Sequence, residues 1–185
     1  MQRIRHALAA TLLAALGSVV LPAAPVAAAP VPGAPDCPLF PADSFWHADV
    51  RGLDVHPRSA QWLAAMGGPE RRLHPDLGPD EAGRPYGIPY AVVDSTFPRV
   101  SPRFTYGSES DPGPYPFGPA IPVEGGSDRH ALVVDRQGCR LYELYAVDWN
   151  GGSPRAGSGA IWDLRSNALR PRGWTSADGR STSRP

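Results

Sequence analysis

The chain has 185 residues, 18 of them basic and 18 acidic, so its formal net charge is zero. With no positive excess and no basic cluster, the sequence argues against nucleic acid as the partner. Proline and glycine make up about a quarter of the residues, near the level where disorder competes with folding, but five Trp, six Tyr and five Phe spread along the chain argue for a packed, loop-rich domain. Every basic residue is arginine, and Ile and Asn are scarce, a bias typical of a GC-rich bacterial genome rather than of a function.

Residues 1–28 have the order of a secretory signal peptide: Arg3 and Arg5 without an acid, an apolar run from Ala7 to Leu21, then small residues. Small residues at −3 and −1 fit Val26/Ala28 or Ala27/Ala29; cleavage after Ala28 is favoured, because the alternative places Pro30 at +1. The apolar run falls short of the ~20 residues a membrane-spanning helix needs. Cys37 lies outside that run, so lipidation is not expected. The expected product is a secreted, extracellular chain with no stable membrane insertion after cleavage. Loss of Arg3 and Arg5 leaves 16 basic against 18 acidic residues, a net charge near −2.

Residues 29–36 read as a Pro/Ala linker, 37–178 as a β-rich domain and 179–185 as a disordered tail. Cys37 and Cys139 are the only cysteines, and in an oxidising compartment they are expected to pair. By loop-closure entropy such a link is worth up to ~4.7 kcal/mol. A helix is predicted over 57–68, with Pro57 in the first turn and Gly67 capping the end; Trp62, Leu63 and Met66 share its face and read as core. Residues 88–93 form a short apolar strand. The stretch 100–106 alternates in part, with Pro102 confining it to an edge, and 107–126 is a long loop. The clearest element is a hairpin, 130–134 then 139–145, apolar on both faces and therefore central. Asp135 and Gly138 suggest a type I turn with a glycine bulge and a three-residue loop. A last strand covers 160–164. The expected fold is mainly β, sandwich- or barrel-like, with one short helix and long Pro/Gly-rich loops.

Candidate chemistry is sparse. Glu143 shares a strand face with Cys139, Leu141 and Tyr145, so its carboxylate is either a general acid of raised pKa or the partner of a buried arginine; the second reading is preferred. His130 shares a face with Glu143 only if the hairpin loop has two or four residues, and the three-residue loop separates them. His47, Asp49, Asp54 and His56 cluster without metal-ligand spacing, and the loop acids Glu109, Asp111, Glu124 and Asp128 lack a calcium-loop pattern, so no metal and no cofactor is expected. Trp149, Trp162 and Tyr115 lie near loops where aromatic rings can stack on sugars, although core packing is the commoner role. There is no Gly-x-Ser-x-Gly, Walker loop or His-Glu-x-x-His.

Six blocks between Cys37 and Asp178 stand out: Phe40-Pro41-Ala42-Asp43 with Trp46; Gly87-Ile88-Pro89-Tyr90; Ser110-Asp111-Pro112-Gly113-Pro114-Tyr115-Pro116; Asp128-Arg129-His130; Cys139-Arg140-Leu141-Tyr142-Glu143-Leu144-Tyr145; and Leu169-Arg170-Pro171-Arg172-Gly173-Trp174-Thr175-Ser176-Ala177-Asp178. In these the chain resembles a family of uncharacterised secreted proteins common in actinobacteria. The resemblance implies a compartment and no chemistry. Family members continue past the last block with further strands, so it also implies a chain shortened at its C-terminus, whose β domain is incomplete. Two function classes follow. One is a secreted enzyme acting on polysaccharide or cell-envelope glycan, with Glu143 and a loop aspartate such as Asp111 as acid and base. The other is a non-catalytic extracellular binding or structural module, or a truncated family member without function. Glycan enters through compartment and aromatic content alone.

Overall fold

The computed structural model describes residues 28–72, 87–149, 151 and 154–174. Of the expected signal peptide only Ala28 falls within that range, and the expected tail 179–185 lies outside it. The described residues are mainly β, with one short α-helix. In order the elements are β1 (Pro30–Val31), β2 (Ala34–Pro38), α1 (Ser59–Ala65), β3 (Tyr90–Val93), β4 (Arg99–Val100), β5 (Arg103–Phe104), β6 (Tyr115–Pro116), β7 (Ala131–Asp135), β8 (Arg140–Tyr145), β9 (Arg155–Ala156) and β10 (Ser158–Asp163).

Four of these build the central sheet, in the order β10-β8-β7-β3, with β3 parallel to β7 and the other pairs antiparallel. The sheet is open and does not close into a barrel. The remaining strands pair as β1-β2, β4-β6 and β5-β9. The predicted stretch 100–106 is split by Pro102 into β4 and β5, which pair with different partners.

The hairpin β7-β8 is central, as its two apolar faces require, but its loop is not the predicted one. Asp135 pairs with Arg140, leaving a four-residue loop. The Asp135 carboxylate accepts the N–H groups of Gln137 (3.0 Å) and Gly138 (3.1 Å), and the left-handed residue is Cys139 (φ 47°), not a glycine. The side chain of Asp135 thus organises a longer turn than a glycine bulge would give.

Opposite faces of the sheet bury separate clusters. On one face Val134, Ala160 and Trp162 pack with Val31, Ala34, Cys37 and Phe40 of the N-terminal segment. On the other, Ala131, Val133, Tyr142 and Leu144 pack under Tyr115, Phe117 and Ile121. The segment 29–36, read as a linker, is therefore part of the fold. Pro32 and Gly33 (φ 84°) make the turn between β1 and β2, Val31 and Ala34 are buried, and the Ala29 carbonyl accepts the Leu39 N–H at 2.8 Å. The Cys37–Cys139 disulfide forms and pins this ribbon to the hairpin turn.

The predicted helix is present but shorter, and none of its residues is buried. Trp62, Leu63 and Met66 were expected in the core and are about half exposed or more. Gly67 ends the helix in the left-handed region (φ 105°), the capping role read for it.

Candidate functional site

The three residues singled out for chemistry come from three parts of the chain: β8, the residue before β7 and the loop before β6. Glu143 is fully buried in β8, between Leu132 of β7 and Ala160 of β10, on the face covered by the β1-β2 ribbon. The four-residue loop places His130 on that same face by alternation, contrary to the three-residue expectation. Its Nδ1 nevertheless meets Glu124 Oε2 at 2.5 Å, its backbone N–H donates to the same oxygen at 3.1 Å, and its ring tilts over Tyr145. The histidine–glutamate pair is thus made with Glu124 of the preceding loop.

Asp111 serves the outer edge of β10. Its carboxylate accepts the Ile161 N–H at 2.9 Å and Arg170 Nε at 3.1 Å, and its own N–H donates to the Gly159 carbonyl at 3.0 Å. Arg170 adds bonds to the carbonyls of Glu109 (2.8 Å) and Gly159 (3.1 Å). Aligned N–H and carbonyl groups on an edge need partners when buried. Asp111 and Arg170 supply them.

Of the residues weighed as metal ligands, His47 and Asp49 each bind a residue close in sequence. His47 donates from Nε2 to the Leu39 carbonyl (2.7 Å), which fixes its tautomer. Asp49 binds Arg51 through three bonds of 2.7–3.0 Å, and the Arg51 guanidinium holds its carboxyl below the usual value. Among the described residues no group of three or more His, Cys, Asp or Glu is placed to hold a metal ion. Tyr115 and Trp162, considered as sugar platforms, are buried, and Trp149 packs edge-on against Phe117. Burial pushes the Tyr115 hydroxyl far above its ordinary value, and it donates to the Asp111 carbonyl at 2.7 Å.

The aromatic surface lies elsewhere, in residues 45–66. Phe45 and Trp46 sit in one 3-10 turn with ring centroids 5.1 Å apart, Trp46 being 51% exposed. Trp62 on α1 is 48% exposed and stacks on His56 at 4.4 Å with an interplanar angle of 18°. His56 in turn accepts the Arg58 N–H at Nδ1 (3.1 Å). A ring supported from behind loses less freedom when a ligand covers it. No sequence signal separated these aromatics from core residues: the i, i+1, i+4 spacing of Trp62, Leu63 and Met66 is the same for a packed helix face and an exposed one.

A groove of about 280 Å³ opens on the ribbon-covered face, lined by Val31, Leu39, Tyr90, Leu132, Leu141 and Leu164, among others, and not by Glu143. Its wall is apolar; the one hydroxyl nearby, that of Tyr90, donates to the Pro32 carbonyl at 3.1 Å. A sugar entering it would give up hydrogen bonds to water and regain none. Comparison with protein-family models, with curated proteins and with solved structures returns no match.

Proposed function

We propose that the protein is a secreted, non-catalytic module that binds extracellular polysaccharide or cell-envelope glycan through the exposed aromatic side chains of residues 45–66. The observation that carries this reading is Trp62, half exposed and held flat on His56. An indole with an apolar face and a polar edge suits the apolar face of a sugar ring, and polar groups at Asp54, Arg58 and Gln61 lie near it in sequence. The bonds of His130 to Glu124 and of Asp111 to Ile161 and Arg170 favour binding over hydrolysis, which would need two carboxylates facing one bond. Secretion is supported by the N-terminal order of charge, apolar run and small residues, and by the disulfide. Among the described residues no helix is long and apolar enough to cross a membrane.

The test is retention of the purified, disulfide-bonded chain on insoluble cell-envelope glycan, run beside an assay for new reducing ends. Retention without release is expected, with at least a roughly tenfold loss of affinity in Trp62→Ala and an unchanged melting temperature. New reducing ends that persist in clean preparations would overturn the non-catalytic reading. Absence of retention would remove glycan as the ligand.

A further inference from the structure

The two outer strands of the central sheet end differently. The outer edge of β10 is closed by Ser110, Asp111 and Arg170 through main-chain and side-chain bonds. Along β3 no strand pairs on the side away from β7 among the described residues. The Val93 carbonyl points inward, accepting the Arg136 N–H at 3.0 Å. Main-chain groups alternate in direction along a strand, so those of Tyr90 and Val92 point outward.

A cleft of about 500 Å³ opens beside this edge. Phe97 and Ile121 give it an apolar wall, and Asp94 and Arg136, 3.5 Å apart, stand at it as a charged pair. Val92 also lines the cleft although its side chain belongs to the other face, where its Cγ2 lies 3.2 Å from the position a Gly33 Cβ would take. What Val92 presents to the cleft is therefore its main chain. An outward N–H and carbonyl and a side-chain pocket lie together.

We propose that the β3 edge and this cleft form a docking site for an extended peptide segment of a partner protein. The segment adds a strand outside β3, bonding to the main chain of Tyr90 and Val92, and lays one apolar side chain against Phe97 and Ile121. Only a polypeptide carries donors and acceptors at the strand repeat, and pockets beside an augmented edge select alternate side chains. A second copy of this chain does not fit through its own β3. The cleft-side residues of that strand, Ala91 and Val93, are already packed in its own core, so it has no apolar side chain to insert.

The probe is a short fluorescent peptide of alternating threonine and leucine, titrated against the full disulfide-bonded chain and read by anisotropy. Its twin carries N-methyl groups on the amides that would face β3. Saturable binding is expected, weakened about tenfold or more by methylation. Ala120→Trp, at an exposed position on the cleft, should weaken it comparably without lowering the melting temperature. Val92→Pro, which removes the outward N–H, should do so as well, while Trp62→Ala should leave peptide binding intact. Equal binding of the plain and methylated peptides, indifference to Ala120→Trp, or no saturation up to about 1 mM would each overturn the proposal. Dimerisation of the free chain that Ala120→Trp abolishes would overturn it in favour of a second copy.

Discussion

The two faces of the central sheet are covered in contrasting ways. On one, a thin ribbon with small side chains, Val31, Ala34 and Cys37, followed by the single large ring of Phe40, lies over Val134 and Trp162 and is tied down covalently. On the other, a longer cover brings Phe97, Phe104, Tyr115, Phe117 and Ile121, and holds them by shape and by charge. Arg99 reaches from β4 to Asp135 and to the Tyr142 hydroxyl, both at 2.7 Å, while Tyr115 meets Phe104 and Tyr142 edge to face. A cover that buries little apolar area gains little from the hydrophobic effect, which scales with that area. The ribbon is therefore the face that depends on its disulfide, and the aromatic cover the one that depends on fit.

The largest expected effect separates the faces most sharply. Replacing both cysteines, Cys37→Ala with Cys139→Ala, should lower stability by about 2–5 kcal/mol in chemical denaturation. It should also shift Trp162 emission to the red as the ribbon lifts from the sheet. A double variant that keeps both the midpoint and the emission of the parent would show that the ribbon holds without its link. On the opposite face the test is Gly159→Ala. The added methyl carbon would lie 2.5 Å from the Tyr115 hydroxyl and 2.7 Å from Phe104 Cζ, so overpacking should cost about 1–3 kcal/mol, read as a lower melting temperature with the disulfide intact. An unchanged melting temperature would mean that this cover gives way easily and that fit is not what holds it.

The smallest effect concerns charge. Arg99→Met should cost about 1–2 kcal/mol, since Arg99 is partly exposed while the Asp135 side chain it leaves is 4% exposed. Burial by itself would raise the Asp135 carboxyl. The N–H groups of Gly138 and Gln137, the Ser95 hydroxyl and the Arg99 charge outweigh it and bring the net value below the usual one. A depressed carboxylate contributes stability that is full above its unfolded value of about 3.9 and is lost as pH falls through the lower folded value. Acid titration of stability should therefore show a decline in that window, shallower in Arg99→Met. Equal slopes in the two proteins would take Arg99 out of the account.

What was legible in the sequence follows the same division. The β7-β8 hairpin was readable because its strands are apolar on both faces, and the disulfide because only two cysteines are present. The loop between the strands was misjudged by one residue, since the side chain of Asp135 sets its length and composition does not reveal which N–H groups a carboxylate will take. The ribbon was hidden by its own composition. Val31-Pro32-Gly33-Ala34 looks like linker, yet Pro-Gly is a turn signal, and a ribbon two strands wide tolerates prolines that a central strand does not. Of the candidate site, the buried position of Glu143 was foreseen by alternation. The exposure of Trp62 was not, because apolar spacing on a helix marks a face without saying what lies against it.

The ribbon has one further consequence, for the order in which the chain acquires its shape. Residues 30–38 leave the ribosome before the strands they cover, which are β7, β8 and β10, and Cys37 finds its partner 102 positions later. A segment made before its sheet is thus among the last that can settle. Until then Val134, Leu141 and Trp162 stay open to solvent, as long-range pairings leave a chain exposed during assembly. An oxidant that closes the link promptly shortens that interval, so catalysed thiol oxidation should govern the yield of native protein more than its final stability does.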